Sequence, residues 1–192
     1  MSKMMAVTLL ALCTVLFGCE KKAEPLPPPT AEAIAAVTEA AFSGNTLAVA
    51  EALKAGMPVD QIDKTGNNLL MLAAFNGHTE TMQALLSAGA DVALRDSNGR
   101  TALMFASSGP FPAAVRLLLE HGSEINAVDK EEHFSPLMFA AGEGLSPIVD
   151  ILLEAGADPS MVDVDNDTAA NFARQRGFIA LADKLQALIE AP

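Results

Sequence analysis

Residues 63–95 read DKTGNNLLMLAAFNGHTETMQALLSAGADVALR, and residues 96–128 follow the same pattern as DSNGRTALMFASSGPFPAAVRLLLEHGSEINAV. The sequence AAFSGN at residues 40–45 recurs 33 residues later as AAFNGH at residues 73–78. A fixed period of this size is typical of stacked supersecondary units, each of which buries its apolar face against its neighbours. The sequence therefore predicts an elongated repeat protein with an extended surface and no enclosed pocket.

Each unit predicts a tight turn followed by two short helices. Gly66 and Gly99 lie in an Asp-x-x-Gly turn, where a positive φ is expected. A side-chain oxygen follows at the predicted N-cap of the first helix, at Asn68, Thr101, Ser135 and Thr168. The second helix carries paired leucines and is predicted to stop at a glycine, at Gly89, Gly122 and Gly156.

This pattern resembles the ankyrin repeat, a β-turn followed by two antiparallel helices. The resemblance runs from about residue 30 to the C-terminus. It implies an all-α ankyrin-repeat solenoid of about five stacked helix–turn–helix units with β-turn fingertips. The first and last units are expected to act as caps. Within an ankyrin domain at 31–192, the units are expected at residues 31–62, 63–95, 96–128, 129–162 and 163–192.

Two columns of apolar residues recur with the period. The position that carries His in the ankyrin family holds Met71, Met104 and Met138 here. A methionine column could serve as a soft-metal or oxidation-sensing stripe, but recurrence with the fold period favours core packing. The same reasoning predicts a core role for the next column, which contains Leu72, Phe105, Phe139 and Phe172.

The repeat is interrupted at two places. Residues 131–134, EEHF, replace the tight glycine turn, so an irregular or protruding fingertip is expected there. Residues 109–112, GPFP, replace the usual Gly-His link between the two helices of a unit. Two prolines forbid helix continuation, which leaves Phe111 either pushed outward as a partner anchor or buried locally.

The N-terminus is predicted to be a targeting segment. A basic start at Lys3 is followed by an apolar run over residues 4–17, shorter than a comfortable membrane span. The run ends in LFGC, which resembles the lipobox of bacterial lipoproteins. The resemblance implies removal of residues 1–18 as a signal peptide and acylation of Cys19. An ordinary secretory signal with a chance cysteine, or an uncleaved anchor, are the alternatives.

Residues 19–30 are interpreted as the lipidated cysteine and a proline-rich tether, which holds the domain off the membrane. Glu20 follows the cysteine, where an Asp would imply retention in the inner membrane of enterobacteria-like cells. The resemblance therefore implies the outer membrane, facing the periplasm. The only expected membrane contact is through this N-terminal lipid.

Composition and spacing argue against several functions. The formal net charge of −12 disfavours nucleic-acid partners and binding to anionic lipid headgroups. Residues 163–167, DVDND, look like the start of a calcium loop but lack the glycine and the final carboxylate that such a loop requires. The three histidines share no metal-ligand spacing, and no catalytic motif occurs. We expect no catalysis, metal, cofactor or small-molecule substrate, and a monomer.

In the ankyrin family, partners contact the fingertips and the exposed side of the first helices. Carried over by position, with Phe111 added, the expected partner contacts are Phe42, Lys64, Thr65, Asn67, Phe75, Asn76, Ser97, Asn98, Arg100, Ser108, Phe111, Lys130, Glu131, His133, Glu143, Asp165, Asp167 and Arg176. Phe42 and Phe75 are candidate apolar anchors. The alternative is that these two rings pack on each other across one repeat interface.

The resemblances together imply a non-catalytic, lipid-anchored module that binds a periplasmic protein. That protein could be an envelope enzyme that the module scaffolds or protects, including one that handles oxidative stress, since periplasmic ankyrin proteins are linked with catalase in some bacteria. An immunity protein that neutralises a toxin delivered to the periplasm is the alternative. A metal-binding or enzymatic envelope protein is a less favoured third interpretation.

Overall fold

The computed structural model describes residues 28–190, and this part of the chain forms ten α-helices in five pairs. The first helices of the pairs are α1 (Ala31–Ser43), α3 (Leu69–Phe75), α5 (Ala102–Ser107), α7 (Pro136–Gly142) and α9 (Ala169–Gln175). The second helices are α2 (Thr46–Lys54), α4 (Thr79–Ser87), α6 (Pro112–Glu120), α8 (Ser146–Glu154) and α10 (Ile179–Glu190).

The helices stack in two rows. In one row α1 packs on α3, α3 on α5, α5 on α7 and α7 on α9, while in the other α2 packs on α4, α4 on α6 and α6 on α8. Each unit thus buries its apolar side against the next unit along the chain. The stacked units predicted from the 33-residue period, and the all-α solenoid implied by the resemblance to ankyrin repeats, are confirmed.

Hydrogen bonds at the helix ends explain why the units begin and stop where they do. Asn68 Oδ1 accepts from the backbone N–H of Met71 at 2.8 Å, and Thr101 Oγ1 accepts from that of Met104 at 3.4 Å. Ser135 and Thr168 cap α7 and α9 in the same way. The glycines after the second helices have positive φ, at Gly89, Gly122 and Gly156. The predicted caps and stops are confirmed.

The methionine column lies in the core, as predicted. Met71, Met104 and Met138 are 1%, 1% and 2% exposed. The core role predicted for the neighbouring column is confirmed in part: Leu72, Phe105 and Phe172 pack against the core, but these three and Phe139 are only half-buried. One residue further along a helix turns the side chain by about 100°. That rotation places this column at the margin of the core, towards the open side of the first-helix row.

Aromatic rings brace the links between paired helices. The ring of His78 covers Gly44, that of Phe111 covers Gly77, and that of Phe178 covers Gly144. A Cβ on any of these three glycines would overlap the ring above it. Phe111 is half-buried in this position, at the link end of the helices and away from the fingertips. Local packing, rather than outward projection, describes the Phe111 side chain.

The two ends of the stack differ in composition. At the N-terminal end, small side chains of α1 and α2 line a cavity of about 320 Å³, among them Ala33, Ala36, Ala48 and Ala52. At the C-terminal end, α10 buries Leu181, Ala182 and Leu185 and carries ion pairs from Arg174 to Asp183 and from Lys184 to Asp150.

The predicted signal peptide, Cys19 and the tether up to residue 27 lie outside the described residues. Within residues 28–190, no helix has the length and apolar character needed to cross a bilayer.

Candidate functional site

The open side of the first-helix row and the fingertip turns together form one surface, which we call the inner face. The fingertips are residues 63–68, 96–101, 129–135 and 163–168. None of the predicted partner contacts is buried. Most are exposed; Asn67, Asn76, Arg100, Ser108, Phe111 and Asp167 are half-buried. Apart from Phe111, these residues belong to the first helices, their C-terminal ends or the fingertips.

A recurring aspartate builds each fingertip. Asp63 Oδ1 accepts backbone N–H bonds from Thr65 at 2.7 Å and from Asn67 at 3.0 Å. Equivalent bonds to backbone N–H groups are made by Asp96, Asp129 and Asp163. Burial by itself would raise the pKa of Asp63, but the hydrogen bonds from Thr65 and Asn67 outweigh it and hold the pKa below its ordinary value. These carboxylates therefore shape the turns.

The fourth unit's fingertip is irregular, as the EEHF sequence predicts. His133 adopts a φ of 61°, which is uncommon for a residue with a side chain. The carbonyl of Glu132 accepts a 3.1 Å bond from the N–H of Val164 on the next fingertip. On the other side, the N–H of Lys130 donates to the carbonyl of Asn98 at 2.8 Å. Neighbouring fingertips are thereby joined by backbone bonds.

Three phenylalanines form an N-terminal aromatic cluster on the inner face: Phe42, Phe75 and Phe105. Phe42 and Phe75 stack with ring centroids 6.1 Å apart and an interplanar angle of 20°. Phe105 meets Phe75 edge-on at 6.1 Å, and the Arg100 guanidinium lies 4.7 Å from the Phe105 centroid. Phe42 and Phe75 nevertheless remain 39% and 46% exposed. The two rings therefore both pack on each other and face solvent.

The backbone beneath this cluster is fixed by side chains of the second unit. Asn76 Nδ2 donates to the carbonyl of Phe42 at 2.8 Å, and His78 Nε2 lies 2.9 Å from the same oxygen. Asn76 thus connects two units instead of extending into solvent. These bonds couple the positions of α1 and α3 and so hold the backbone that carries the two rings.

A C-terminal aromatic cluster joins Phe134, Phe139 and Phe172. Phe134 meets Phe139 at 5.8 Å and Phe172 at 5.0 Å, both nearly perpendicular. A cavity of about 310 Å³ lies beside the cluster, lined in part by Glu143, Gln175 and Arg176. The sequence predicted Glu143 and Arg176 here but missed Phe134. An apolar side chain inside the irregular fingertip was the signal that could have identified it.

The charges of the inner face are unevenly distributed. Asp96 is paired with Arg100 at 2.8 Å, which leaves Lys64 and Lys130 as the exposed cations of the first three fingertips. Glu131 and Asp165 stand exposed on the last two, while Asp167 Oδ2 accepts from Gln175 Nε2 at 2.8 Å. Within residues 28–190, no group of three or more His, Cys, Asp or Glu residues is arranged to hold a metal ion.

A stacked repeat with exposed aromatic and charged groups along one open face belongs to the class of repeat-built interaction modules. A family model described as Ankyrin repeats (3 copies) matches residues 6–96, 37–129 and 91–163. The chain belongs to the ankyrin-repeat family, and its repeats make it a protein-interaction module. The first match begins inside the segment predicted to be a signal peptide.

Curated proteins share short segments with this chain. One segment of 61 residues is 44% identical to the glycerophosphocholine phosphodiesterase gde1 of Schizosaccharomyces pombe, and covers 32% of this chain and 5% of that protein. Another, of 54 residues, is 41% identical to Ankyrin repeat family A protein 2 of Mus musculus and of Homo sapiens. It covers 28% of this chain and 17% of each relative. The likeness thus spans a small part of each relative.

Proposed function

We propose that this protein is a lipid-anchored module of the bacterial envelope that binds a periplasmic protein through its inner face and carries out no catalysis. Acylation at Cys19 and an outer-membrane location rest on the sequence of residues 1–30. The binding role rests above all on one observation, the Phe42–Phe75 stack with 39% and 46% of the two residues exposed.

Exposed aromatic pairs of this kind are typical of binding surfaces. Large aromatic side chains dominate interface energies, and they contribute most where the surface is already ordered. Here the Phe42 carbonyl is held by Asn76 and His78, so little order remains to be gained on binding. Arg100, stacked on Phe105, adds a second residue type that is enriched at interfaces.

Pull-down after crosslinking in envelope extracts tests the binding face. The wild-type mature chain is compared with a Phe75→Ala, Arg100→Glu variant. Leu47→Ala is the matched control, since Leu47 is 69% exposed but lies on the second helix α2. We expect wild type and Leu47→Ala to enrich the same protein and the double variant to lose it. Equal enrichment by all three chains would show that the assigned face is wrong.

Membrane fractionation of a Cys19→Ser variant tests the anchor. Without the acylated thiol, the protein should move from the membrane fraction to the soluble fraction. An unchanged distribution would contradict the lipid anchor and leave the binding face untouched.

A scaffold or protector of an envelope enzyme is the role that we propose for the bound state. The alternative, an immunity protein, draws support from the exposed Glu131 and Asp165, since acidic fingertips suit a basic partner surface. Competition against a toxin-delivering neighbour separates the two roles. Killing of a strain that lacks this protein, and its survival when the gene is restored but not in a Glu131→Lys, Asp165→Lys form, would favour immunity.

A further inference from the structure

A small groove of about 190 Å³ lies within the N-terminal aromatic cluster. Apolar side chains form most of its lining, and the polar member is Asn67 from the 63–68 fingertip. The lining residues are Phe42, Asn67, Met71, Leu72, Phe75 and Phe105.

The hydrogen bonds of the fingertip fix which way the Asn67 amide points. The Thr65 hydroxyl donates to Asp63 Oδ1 at 2.7 Å, so Thr65 Oγ1 can only accept from its other neighbour. That neighbour is the Asn67 amide, 2.7 Å away, which must therefore present its Nδ2 group to Thr65. A flipped amide would set two acceptors against each other. Asn67 Oδ1 consequently points away from Thr65.

Asn67 Oδ1 is a buried acceptor without a donor. Across residues 28–190, no protein group donates a hydrogen bond to this atom. A buried acceptor in apolar surroundings is unfavourable until an N–H or O–H reaches it. The groove is thus complementary to a side chain with an apolar body and one donor.

Tryptophan meets this requirement better than the other side chains. Its indole N–H donates and accepts nothing, and its flat rings pack well against phenylalanine. Tyrosine would bring two lone pairs that need donors, whereas one N–H of Asn67 Nδ2 is already given to Thr65 and the rest of the groove lining is apolar. Phenylalanine or leucine would leave Asn67 Oδ1 unpaired, while lysine or arginine would bring a charge into an apolar site.

The charges beside the groove add a second requirement. Lys64 is exposed on the same fingertip as Asn67, while the guanidinium of Arg100, which lies over Phe105, is paired with Asp96. The Asp63 carboxylate is engaged by Thr65 and Asn67 and so faces the turn. Lys64 is therefore the cation at the groove edge with which a carboxylate on the incoming chain would pair.

We propose that this groove receives a tryptophan side chain of the protein partner, flanked by an acidic residue, with the indole N–H donating to Asn67 Oδ1. The inference rests on the proposed binding role of the inner face and specifies its central contact. The partly exposed rings of Phe42 and Phe75 turn to admit the indole, a side-chain adjustment common at interfaces.

The composition of the chain permits a clean measurement, because it contains no Trp and no Tyr. The full mature chain, residues 19–192 with Cys19→Ser, is titrated to millimolar concentration into micromolar acetyl-Glu-Trp-amide while the fluorescence of the probe is followed. We expect a saturable blue shift. The same peptide with 1-methyltryptophan, which lacks the N–H, should bind about fivefold more weakly.

Variants locate the site. Phe75→Ala should abolish the shift, whereas Phe172→Ala, in the C-terminal aromatic cluster, should leave it unchanged. Asn67→Leu should bind the two peptides equally, with circular dichroism confirming its fold. The comparison of the two peptides on the wild-type chain needs no variant at all.

Equal binding of both peptides to wild type, absence of any shift, or loss on Phe172→Ala instead of Phe75→Ala would each overturn the inference. The chain could fail to bind either peptide and still capture a protein in a manner that depends on Phe75. That result would support the proposed function and contradict only the tryptophan contact.

Discussion

The two aromatic clusters of the inner face use the same helices in different ways. In the N-terminal cluster, Phe42 and Phe75 lie side by side and stay 39% and 46% exposed. In the C-terminal cluster, Phe134 folds back from the irregular fingertip onto Phe139 and Phe172, and all three rings are half-buried. A single side chain from a fingertip thus decides whether a row of rings remains an open surface or closes on itself.

Both halves of the stack also have an aromatic ring over a glycine at a link between paired helices. At these links we expect glycine substitutions to be costly in both halves. Gly77→Ala should cost about 3 kcal/mol, from the positive φ and overlap with Phe111. Gly144→Ala should cost less, because it meets only the outer edge of the Phe178 ring. Denaturation followed by circular dichroism measures both, as the chain has no Trp or Tyr.

Gly89→Ala is the matched control for these glycines. It shares a positive φ, but no atom lies within 4 Å of its Cβ position. It should therefore cost only the backbone strain, about 1 kcal/mol. Equal losses at all three glycines would show that the rings play no part.

Phe134→Ala tests whether the C-terminal cluster is indeed closed. Removing the ring that contacts both Phe139 and Phe172 should lower the free energy of unfolding by about 2 kcal/mol. Phe75→Ala should cost about 1 kcal/mol or less, since nearly half of that residue is in solvent. If Phe75→Ala proved the more costly, the contrast between an open and a closed cluster would be wrong.

His133→Gly should stabilise the fingertip that carries Phe134. Glycine adopts the observed φ of 61° without strain, but it loses more entropy on folding. The net gain should be below about 1 kcal/mol in chemical denaturation. Asn166→Gly, at a φ of 65°, should gain less because asparagine tolerates this conformation. A loss of stability in His133→Gly would mean that the imidazole itself supports the turn.

The smallest expected effect is on the loss of stability in acid. It should be similar for one aspartate in the N-terminal half of the stack, Asp63, and one in the C-terminal half, Asp158. Burial raises the pKa of Asp63, but hydrogen bonds from Thr65 and Asn67 bring it below the ordinary value of 3.8. The side-chain and backbone bonds of Ser160 lower the pKa of Asp158 likewise. The stability that each contributes is present above the unfolded-state pKa and is lost as the pH falls through the lower, folded-state pKa.

Asp63→Asn and Asp158→Asn should therefore show a flatter loss of stability below about pH 4 than wild type does. Thermal unfolding between pH 2 and 6 measures this slope. An unchanged slope in both variants would contradict the role assigned to these hydrogen bonds.

Local chemistry made the fold predictable from the sequence. Asn68 and Thr101 cap helices because their side-chain oxygens reach free N–H groups, and Gly89 stops a helix because it tolerates positive φ. These causes act within a few residues, and the 33-residue period repeats them. The buried methionine column was predictable for the same reason.

The candidate site depended on contacts between units, which the period does not reveal. Phe105 was expected in the core, but the direction of its side chain depends on a rotation of the helix that sequence spacing specifies only coarsely. The orphan acceptor on Asn67 follows from the hydrogen-bond order of Asp63, Thr65 and Asn67 in three dimensions. No single residue type in the fingertip indicates it.

The carbonyl of Phe42, held by Asn76 and His78, also determines how the molecule responds to mechanical load. A pull on the N-terminus reaches the domain through α1, which packs on α2 and on α3 of the second unit. The two bonds to Phe42 connect the end of α1 to the second unit, so that they bear part of any load that would separate α1 from α3. Under tension, the first unit would therefore yield before the stack behind it, and the stacked pair of rings would separate at the same moment.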